Sequence, residues 1–288
     1  GIMHMKAGVC RWCWALAALA LIAFSASALH AESKPIRVAV VNTPQFSGLM
    51  DALIADFKAA TGSDVVVYSG SDVFDRARNG ETDLVIAHYG KSDFEDFVLK
   101  GYGSWPRMVF SNQMAIIGPP EDPAGIRGMD SAAKALRRIA ETKSPFIAMA
   151  LPTVNYATEV LWQMSGAPDK TGWCFDEGLD QGRAIREAAT KRAYVIFGAW
   201  PFLRMKQKQG NDLEILVAAD PILQRVMASV VVSASKIPGA NEDGARAFEK
   251  FLMLPKTQAR IAAFRSHDSP LQLWWPAARH NDNGVLGE

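Results

Sequence analysis

The sequence is poor in cysteine, and this scarcity excludes a fold held together by disulfide bonds. Only three of the 288 residues are Cys, and Cys10 and Cys13 lie close to the amino terminus. The body of the chain keeps Cys174 alone, so it cannot form an intramolecular disulfide and must depend on a hydrophobic core. We expect Cys174 to be a small buried apolar residue rather than a reactive thiol, because no His or basic group flanks it closely.

The sequence also has almost no net charge and lacks the motifs of common catalytic sites. Its 31 Lys and Arg residues nearly balance 30 Asp and Glu residues, which leaves a formal net charge of +1. Nucleic acids and anionic membranes require a concentrated basic surface, so we expect neither as a partner. There is no G-x-S-x-G elbow, H-E-x-x-H helix or P-loop. We therefore expect a binding protein rather than an enzyme, with no metal site and no cofactor.

Residues 1–31 have the three-part pattern of an export signal. A short basic start precedes an apolar run from Trp12 to Phe24, and small-residue cleavage sites follow at residues 26–28 and 29–31. A membrane-anchoring helix is the alternative, but a full span needs about 20 apolar residues and this run is shorter. No Cys follows the run as a lipid-attachment site. We expect cleavage, a mature protein in the periplasm and no stable membrane insertion.

Beyond residue 35, short β-branched runs alternate with longer segments of helical periodicity, which is the pattern of a sheet covered by helices. Strands are predicted at residues 36–41, 64–68, 83–87, 107–118, 146–150, 193–197, 213–217 and 226–233. Helices are predicted at residues 49–61, 74–79, 131–141, 157–164, 183–191, 242–254 and 257–264. Right-handed crossovers between such units produce a doubly wound α/β sheet.

Two lobes are predicted from the place where regular structure stops. The Pro119-Pro120 pair ends an extended segment and marks a crossing between domains. We predict an α/β fold of two doubly wound lobes joined by a two-crossing hinge. Lobe I comprises residues 36–117 and 223–275, lobe II comprises residues 118–222, and residues 276–288 form a loose C-terminal tail. Ligands of open α/β sheets bind beyond the carboxyl ends of the strands, so the loops there are the candidate site.

Several motifs in a fixed order resemble one known family. They are Ser47-Gly48-Leu49, Gly80 to His88, Phe94 to Gly103, Asn112, Ile116 to Pro119, Asp122 to Ala124, Ala188 to Tyr194, and Ala247 to Phe264. Over residues 36–266 their order resembles the periplasmic binding proteins of tungstate-type ABC uptake systems, within the phosphate- and molybdate-type group. The resemblance implies the type II periplasmic binding fold. It also implies a monomer that delivers a small-molecule or oxyanion ligand to an ABC transporter permease.

The binding loops of that family are only partly present here. The resemblance implies that Ser and Thr hydroxyls, backbone N–H groups and an Arg in a second-lobe loop hold a tetrahedral oxyanion. The segment Ala148 to Tyr156 lacks the expected Arg, and Phe197 to Pro201 is aromatic and small where the family is polar and charged. An anion against an apolar surface is costly, so the sequence predicts altered ligand specificity and weak tungstate binding.

The predicted ligand pocket combines hydrogen-bonding loops of lobe I with an aromatic wall of lobe II. Its members are Asn42, Thr43, Ser47, Ser69, Gly70, Ser71, His88, Asn155, Tyr156 and Trp200. His88 is interpreted either as a ligand contact or as a packed residue of the rim. Tyr156 and Trp200 either line the ligand or fill the contact between lobes. Arg204 is the nearest replacement for the missing Arg, with a solvated helix Arg as the alternative.

Two alternatives to altered solute transport stay open from the sequence. One is tungstate or molybdate binding as in the family. The other is a ligand sensor that uses the same pocket without transport. Trp274-Trp275 is interpreted as a cap over the core or as a partner contact.

Overall fold

A computed structural model describes residues 33–267 and 269–281 of the chain, and these residues form an α/β fold around a mixed sheet. The strands are β1 Ile36–Val40, β2 Val65–Ser69, β3 Leu84–His88, β4 Arg107–Gly118, β5 Phe146–Ile147, β6 Cys174–Phe175, β7 Tyr194–Gly198, β8 Glu214–Val217, β9 Gln224–Val231 and β10 Trp275–Pro276. The helices are α1 Asn42–Phe46, α2 Leu49–Thr61, α3 Val73–Arg78, α4 Ser92–Leu99, α5 Ala132–Glu141, α6 Pro152–Met164, α7 Gln181–Lys191, α8 Ala199–Gln209, α9 Glu242–Met253 and α10 Pro255–Ala263. Short 3-10 turns lie at Pro221–Leu223 and Ala278–Asn281.

The sheet runs in the order β2-β1-β3-β9-β4-β7-β5-β6, and β8 and β10 pair with β4 as well. β1 is parallel to β2 and β3, whereas β9 is antiparallel to both β3 and β4. Alternate residues of β1 and β3 enter different core clusters, with Val38 and Ile86 in one and Ala39 and Val85 in the other. Successive strand residues point to opposite faces, so apolar side chains cover both faces of this part of the sheet.

Strand β4 is shared by two sets of pairings. Its first part, from Arg107 to Gln113, pairs with β9, and its second part, from Met114 to Gly118, pairs with β7 and β8. The buried residues of one core cluster all lie between Met114 and Leu223 in the sequence, whereas Phe110 belongs to a different cluster. The core therefore changes within β4. The arrangement into two hinged lobes stays a prediction.

Most predicted elements occur, and the differences have local causes. β4 has the predicted limits, and α2 ends at Thr61 because Gly62 adopts the left-handed conformation with φ of 76°. The segment after β1, treated as a loop in the sequence, forms the short helix α1, and Pro44 fits in its first turn. Helix α6 begins at Pro152, the first helical position that proline favours, rather than at residue 157. Helix α8 replaces the predicted loop around Trp200.

The predicted loose tail is wrong for residues 276–281. Pro276 pairs with β4, and the side chain of Asn281 bonds both the N–H and the C=O of Met108, at 2.7 Å each. The N–H groups of Ala277 and Ala278 both donate to Oε1 of Gln258 at 3.0 Å. These polar contacts join segments far apart in sequence, which periodicity does not report.

Within the described residues, no helix combines the length and the apolar character that crossing a membrane requires. The predicted export signal, residues 1–31, lies outside the part of the chain that the structure describes.

Asp83 anchors the amino end of β3 through a dense set of hydrogen bonds. Its buried carboxylate accepts from the backbone N–H of Arg37 at 2.8 Å, from Nη2 of Arg37 at 2.8 Å and from the N–H of Asn241 at 2.9 Å. Burial alone would raise the pKa of Asp83, but the hydrogen bonds from Arg37 and Asn241 outweigh it and lower the pKa. The carboxylate thus ties β1, β3 and the start of α9 together.

We expect Asp83→Asn to lower the free energy of unfolding by about 2–3 kcal/mol at pH 7, because Arg37 loses its buried charged partner. The loss is limited because the side chain of Arg37 is partly exposed to water. A lowered folded-state pKa stabilises the fold above the unfolded pKa, and this contribution disappears as the pH falls through the folded value. Urea unfolding at pH 7 and pH 3 should therefore show a smaller difference between variant and wild type at pH 3. Asp64→Asn, at an exposed pair with Lys58, is the control and should change stability little. Equal stability of Asp83→Asn and wild type at pH 7 would contradict this role.

Candidate functional site

The carboxyl ends of β1, β2 and β3 meet at one edge of the sheet, which we call the carboxyl edge. Val40 pairs with Ser69 of β2 and with Ile86 of β3. Beyond these pairs, the N–H of Gly70 donates to the C=O of Val40 at 3.1 Å, and the N–H of Val41 donates to the C=O of Ile86 at 3.1 Å. The chain leaves all three strands at this edge, so the segments that follow them lie side by side.

The structure brings six of the predicted ligand residues to the carboxyl edge, and one of them is His88 at the end of β3. Asn42 and Thr43 open α1, Ser69 ends β2, and Gly70 and Ser71 follow it. The side chains of Asn42, Thr43, Ser69 and Ser71 make no hydrogen bond to any described residue, and Asn42 and Ser71 are exposed. These polar groups therefore have free hydrogen-bonding capacity at the edge where ligands of open α/β sheets bind.

The loop at Gly70 is tight. The hydroxyl of Tyr68 donates to Oδ1 of Asp72 at 2.6 Å, across the backbone of Gly70. A Cβ atom at Gly70 would lie 2.6 Å from the Tyr68 hydroxyl oxygen and 2.9 Å from the Asp72 carboxylate. A side chain at position 70 would therefore require the hydrogen-bonded Tyr68–Asp72 pair to shift.

Ser47 has a structural environment rather than the predicted ligand contact. It is 2 % exposed, and its hydroxyl donates to the C=O of Pro44 at 3.3 Å while it accepts from Nε1 of Trp274 at 3.0 Å. Trp274 is fully buried and packs edge-on against Phe110. The hydroxyl of Ser47 is therefore used inside the core, and we do not include Ser47 in the proposed site.

The predicted aromatic wall is divided between the core and the surface. Trp200 is 9 % exposed and belongs to the core cluster of Ile86 and Phe110, whereas Tyr156 on α6 is 71 % exposed. Asn155 next to Tyr156 is also exposed. Arg204, the predicted substitute for the missing Arg, lies over the Trp200 ring with Cζ 5.2 Å from the ring centroid. Arg204 thus contributes a cation–π contact to α8.

The sequence prediction missed Arg225, which lies beside His88 and Asn112. In the antiparallel pairings of β9, Arg225 is opposite Asn112 of β4, and Met227 is opposite His88 of β3. Because alternate residues of a strand share a face, the side chains of His88, Asn112 and Arg225 lie on the same side of the sheet. A long contact of 3.5 Å from Nη1 of Arg225 to the C=O of Thr153 connects β9 with the first turn of α6.

His88, Lys91 and Arg225 form a group that we call the cationic cluster. Arg225 is half-buried, and burial lowers the pKa of its guanidinium. Burial, and then the charge of Arg225, lower the pKa of Lys91, although Asp93 acts in the opposite direction. Among the described residues, neither Arg225 nor Lys91 forms an ion pair with a carboxylate.

His88 is the neutral member of the cationic cluster. Burial is the largest cause of its lowered pKa, and the charges of Arg225 and Lys91 add to it, which brings the pKa to about 3. An interaction with the side chain of Asn112 opposes this shift. At pH 7 the imidazole is therefore uncharged, and the excess positive charge of the cluster comes from Lys91 and Arg225. Such a partly dehydrated positive group attracts an anion.

One signal in the sequence could have found Arg225. It is the only charged residue between Pro221 and Ser235, and it stands at the start of an apolar strand. The predicted strand began one residue later, at Val226, so Arg225 was assigned to a connection. Its position beside His88 depends on the antiparallel register of β9, which the sequence pattern does not provide.

A cavity of about 830 Å³ lies elsewhere, lined by residues that include Arg107, Gln258 and Trp275. None of the predicted ligand residues lines it. Within the described residues, no group of three or more His, Cys, Asp or Glu side chains is placed to hold a metal ion. Cys174 is half-buried, and burial raises the pKa of its thiol, which disfavours the reactive thiolate.

We expect the pH dependence of folding to report the environment of His88. The folded protein binds fewer protons than the unfolded chain between pH 6.5 and about 3, so stability is highest above pH 6.5 and decreases as the pH falls. Urea unfolding of wild type and His88→Gln should show a steeper loss for wild type, by up to about 1.4 kcal/mol per pH unit. Parallel pH curves for the two proteins would contradict a buried, neutral His88.

Comparisons with known proteins relate the chain to solute-binding proteins. The sequence profile of the family described as bacterial extracellular solute-binding protein matches residues 36–264. A candidate ABC transporter anion-binding protein of Haloferax volcanii is 27 % identical over 263 residues, which cover 89 % of this chain and 76 % of that protein. The tungstate-binding protein TupA of Peptoclostridium acidaminophilum is 27 % identical over 248 residues, which cover 84 % of this chain and 86 % of that protein.

The fold is also shared with a solved structure. The tungstate-binding protein TupA from Desulfovibrio alaskensis G20 has a TM-score of 0.76 and 25 % sequence identity, and the match covers 85 % of this chain and 100 % of that chain. The predicted type II periplasmic binding fold is thereby confirmed. The prediction of a binding protein rather than an enzyme agrees with the matched family. The chain belongs to the family of bacterial extracellular solute-binding proteins.

Proposed function

We propose that this chain is the periplasmic solute-binding component of an ABC uptake system, and that its ligand is a small anion. One observation carries the proposal: Arg225 is half-buried at the carboxyl edge and has no carboxylate partner among the described residues. A dehydrated guanidinium without a counter-ion is unfavourable, and a bound anion removes this cost. The names of two relatives, an anion-binding protein and a tungstate-binding protein, support the same class of ligand.

Each group at the carboxyl edge has a role in this proposal. Arg225 supplies the main charge and two parallel N–H donors, and Lys91 adds a second positive charge at the exposed side. Neutral His88 donates one ring N–H. Thr43, Ser69 and the other unpaired groups of the first two loops complete the hydrogen bonds.

Closure of two lobes would enclose the ligand. The contact between Arg225 and the C=O of Thr153 connects β9 of lobe I with α6 of lobe II. An anion at Arg225 would therefore contact residues of both lobes and favour the closed state, in which its affinity is highest. Tyr156 lies three residues after Thr153 on the same helix face, and its exposed ring would cover the ligand on closure.

We further propose that specificity differs from that of the tungstate-binding relatives. The positive charge comes from β9, whereas the segment 148–156 that follows β5 holds no Arg. A charge that approaches from a different element presents its donors in a different direction, so an anion of another shape is favoured. A processed monomer, exported by residues 1–31, would deliver this ligand to an ABC permease.

The direct test is calorimetry with phosphate, sulfate, tungstate, molybdate, acetate and glycolate on wild type and Arg225→Met. We expect wild type to bind at least one of these anions with micromolar affinity, and Arg225→Met to bind it at least about 30-fold more weakly. Without anion, Arg225→Met should be at least as stable as wild type, because the substitution removes an unpaired, dehydrated charge.

Arg186→Met is the matched control, since Arg186 is an exposed residue of α7 and makes no interaction with a described carboxylate. It should leave anion affinity unchanged. Binding that is equally tight in wild type and Arg225→Met, or no binding of any of these anions, would refute the proposed site.

A further inference from the structure

Three buried side-chain atoms of the described residues have no hydrogen-bond partner. They are Oε1 of Gln45, Oδ1 of Asn112 and Nε1 of Trp200. Buried polar atoms in native proteins are almost always paired, so such atoms require an explanation. Two of them are acceptors and one is a donor. A ligand that pairs with all of them must both accept and donate hydrogen bonds.

Two of these atoms lie on the face of the sheet that carries the cationic cluster. Asn112 is opposite Arg225, and although its side chain lies near His88, its oxygen accepts no hydrogen bond of normal geometry from a described residue. Trp200 packs in the core cluster that contains Phe110 and Met227, which stand two residues from Asn112 and Arg225 on their strands. Since residues two apart share a strand face, Asn112 and Arg225 lie on the same face of the sheet as Phe110 and Met227, whose cluster contains the Trp200 side chain.

Gln45 adds a second acceptor near the carboxyl edge. It belongs to α1, which directly follows β1. Its Nε2 donates to Oδ1 of Asp51 at 3.2 Å, and this bond orients the amide so that the oxygen is the unpartnered atom. Unpaired acceptors therefore occur both in α1 and on β4.

The unpaired oxygen of Asn112 limits the chemistry of the ligand. A fully deprotonated oxyanion such as tungstate or sulfate offers only acceptor oxygens, so it satisfies Arg225 and Trp200 but leaves the oxygen of Asn112 unpaired. An anion with an O–H group satisfies both kinds of atom. Leaving a buried acceptor unpaired is costly, and this cost discriminates between ligands of similar size and charge.

We infer that the ligand is an anion that carries its own O–H donor, which it gives to Asn112 while Arg225 and Trp200 hold its anionic oxygens. This inference rests on the proposed anion-binding function and specifies its ligand class. Two sources share this chemistry, namely a partly protonated tetrahedral oxyanion such as hydrogenphosphate and a small 2-hydroxycarboxylate such as glycolate.

Two pairs of anions separate these sources and test the donor. Phosphate and sulfate are both tetrahedral, and only phosphate carries a proton near pH 7. Glycolate and acetate are both small carboxylates, and only glycolate has a hydroxyl. Calorimetry at pH 7 should show that the donor-bearing member of one pair binds about 10-fold or more tightly than its partner. The pair with the larger difference identifies the source.

Variants of Asn112 assign the preference to its oxygen. Asn112→Leu removes the acceptor at similar volume, so the ratio of affinities within the pair should fall towards one. Asn112→Asp keeps acceptors only, so the ratio should rise, although the added negative charge beside Arg225 lowers the affinity for every anion. Trp200→Phe removes a donor and should weaken both anions without changing their ratio. Asn79→Leu, at the exposed end of α3, is the matched control and should leave the ratio unchanged.

The outcomes distinguish this inference from the proposed function. Sulfate, acetate or tungstate binding as tightly as the donor-bearing anions, and losing affinity in Arg225→Met, would overturn the inference and leave the anion site intact. A ratio that is the same in wild type, Asn112→Leu and Asn112→Asp would also overturn it. Absence of binding, or binding that is independent of Arg225, would refute both. If Asn112→Leu does not fold, the wild-type pairs and Asn112→Asp still decide the question.

Discussion

A half-buried guanidinium without a counter-ion is the constraint on which the account of this protein depends. Arg225 stands at the start of β9, and burial lowers its pKa while no carboxylate of the described residues compensates. Burying an unpaired charge is unfavourable, so a fold retains one where something else offsets the cost. Strand β9 lies between β3 and β4 and is antiparallel to both, which places this charge at the carboxyl edge. The segments that follow β1, β2 and β3 begin at the same edge. An anionic ligand is the partner that the surroundings of Arg225 indicate.

The ionisable groups at the two ends of β3 have opposite environments. At its amino end, the Asp83 carboxylate is saturated by donors from Arg37 and Asn241, and its pKa is lowered. At its carboxyl end, His88 is surrounded by positive charge and is neutral. The first end is a closed network that stabilises the fold. The second end has unsatisfied capacity, which is what a binding site requires.

The sequence predicts the fold and the position of the site better than it predicts the charges of the site. Periodicity finds the strands and most helices, and the rule for ligands of open α/β sheets brings Asn42, Ser69 and His88 to one edge. The sequence pattern could not place Arg225 in the site, because the neighbours of that residue depend on the antiparallel register of β9. The sequence pattern also could not predict that the Ser47 hydroxyl accepts a hydrogen bond from Trp274, since that bond joins residues 227 positions apart. The fold therefore follows from local pattern, whereas the site depends on long-range contacts.

The family relationship and the unpaired charge together make the location of a bound anion the decisive observation. The most direct measurement is anomalous X-ray diffraction from crystals grown with arsenate, which is tetrahedral and partly protonated like phosphate. The account predicts an arsenic peak within about 5 Å of the Arg225 guanidinium carbon, with oxygens in hydrogen-bond reach of its N–H groups. A peak only in the cavity lined by Arg107 and Trp275, with none at Arg225, would contradict it.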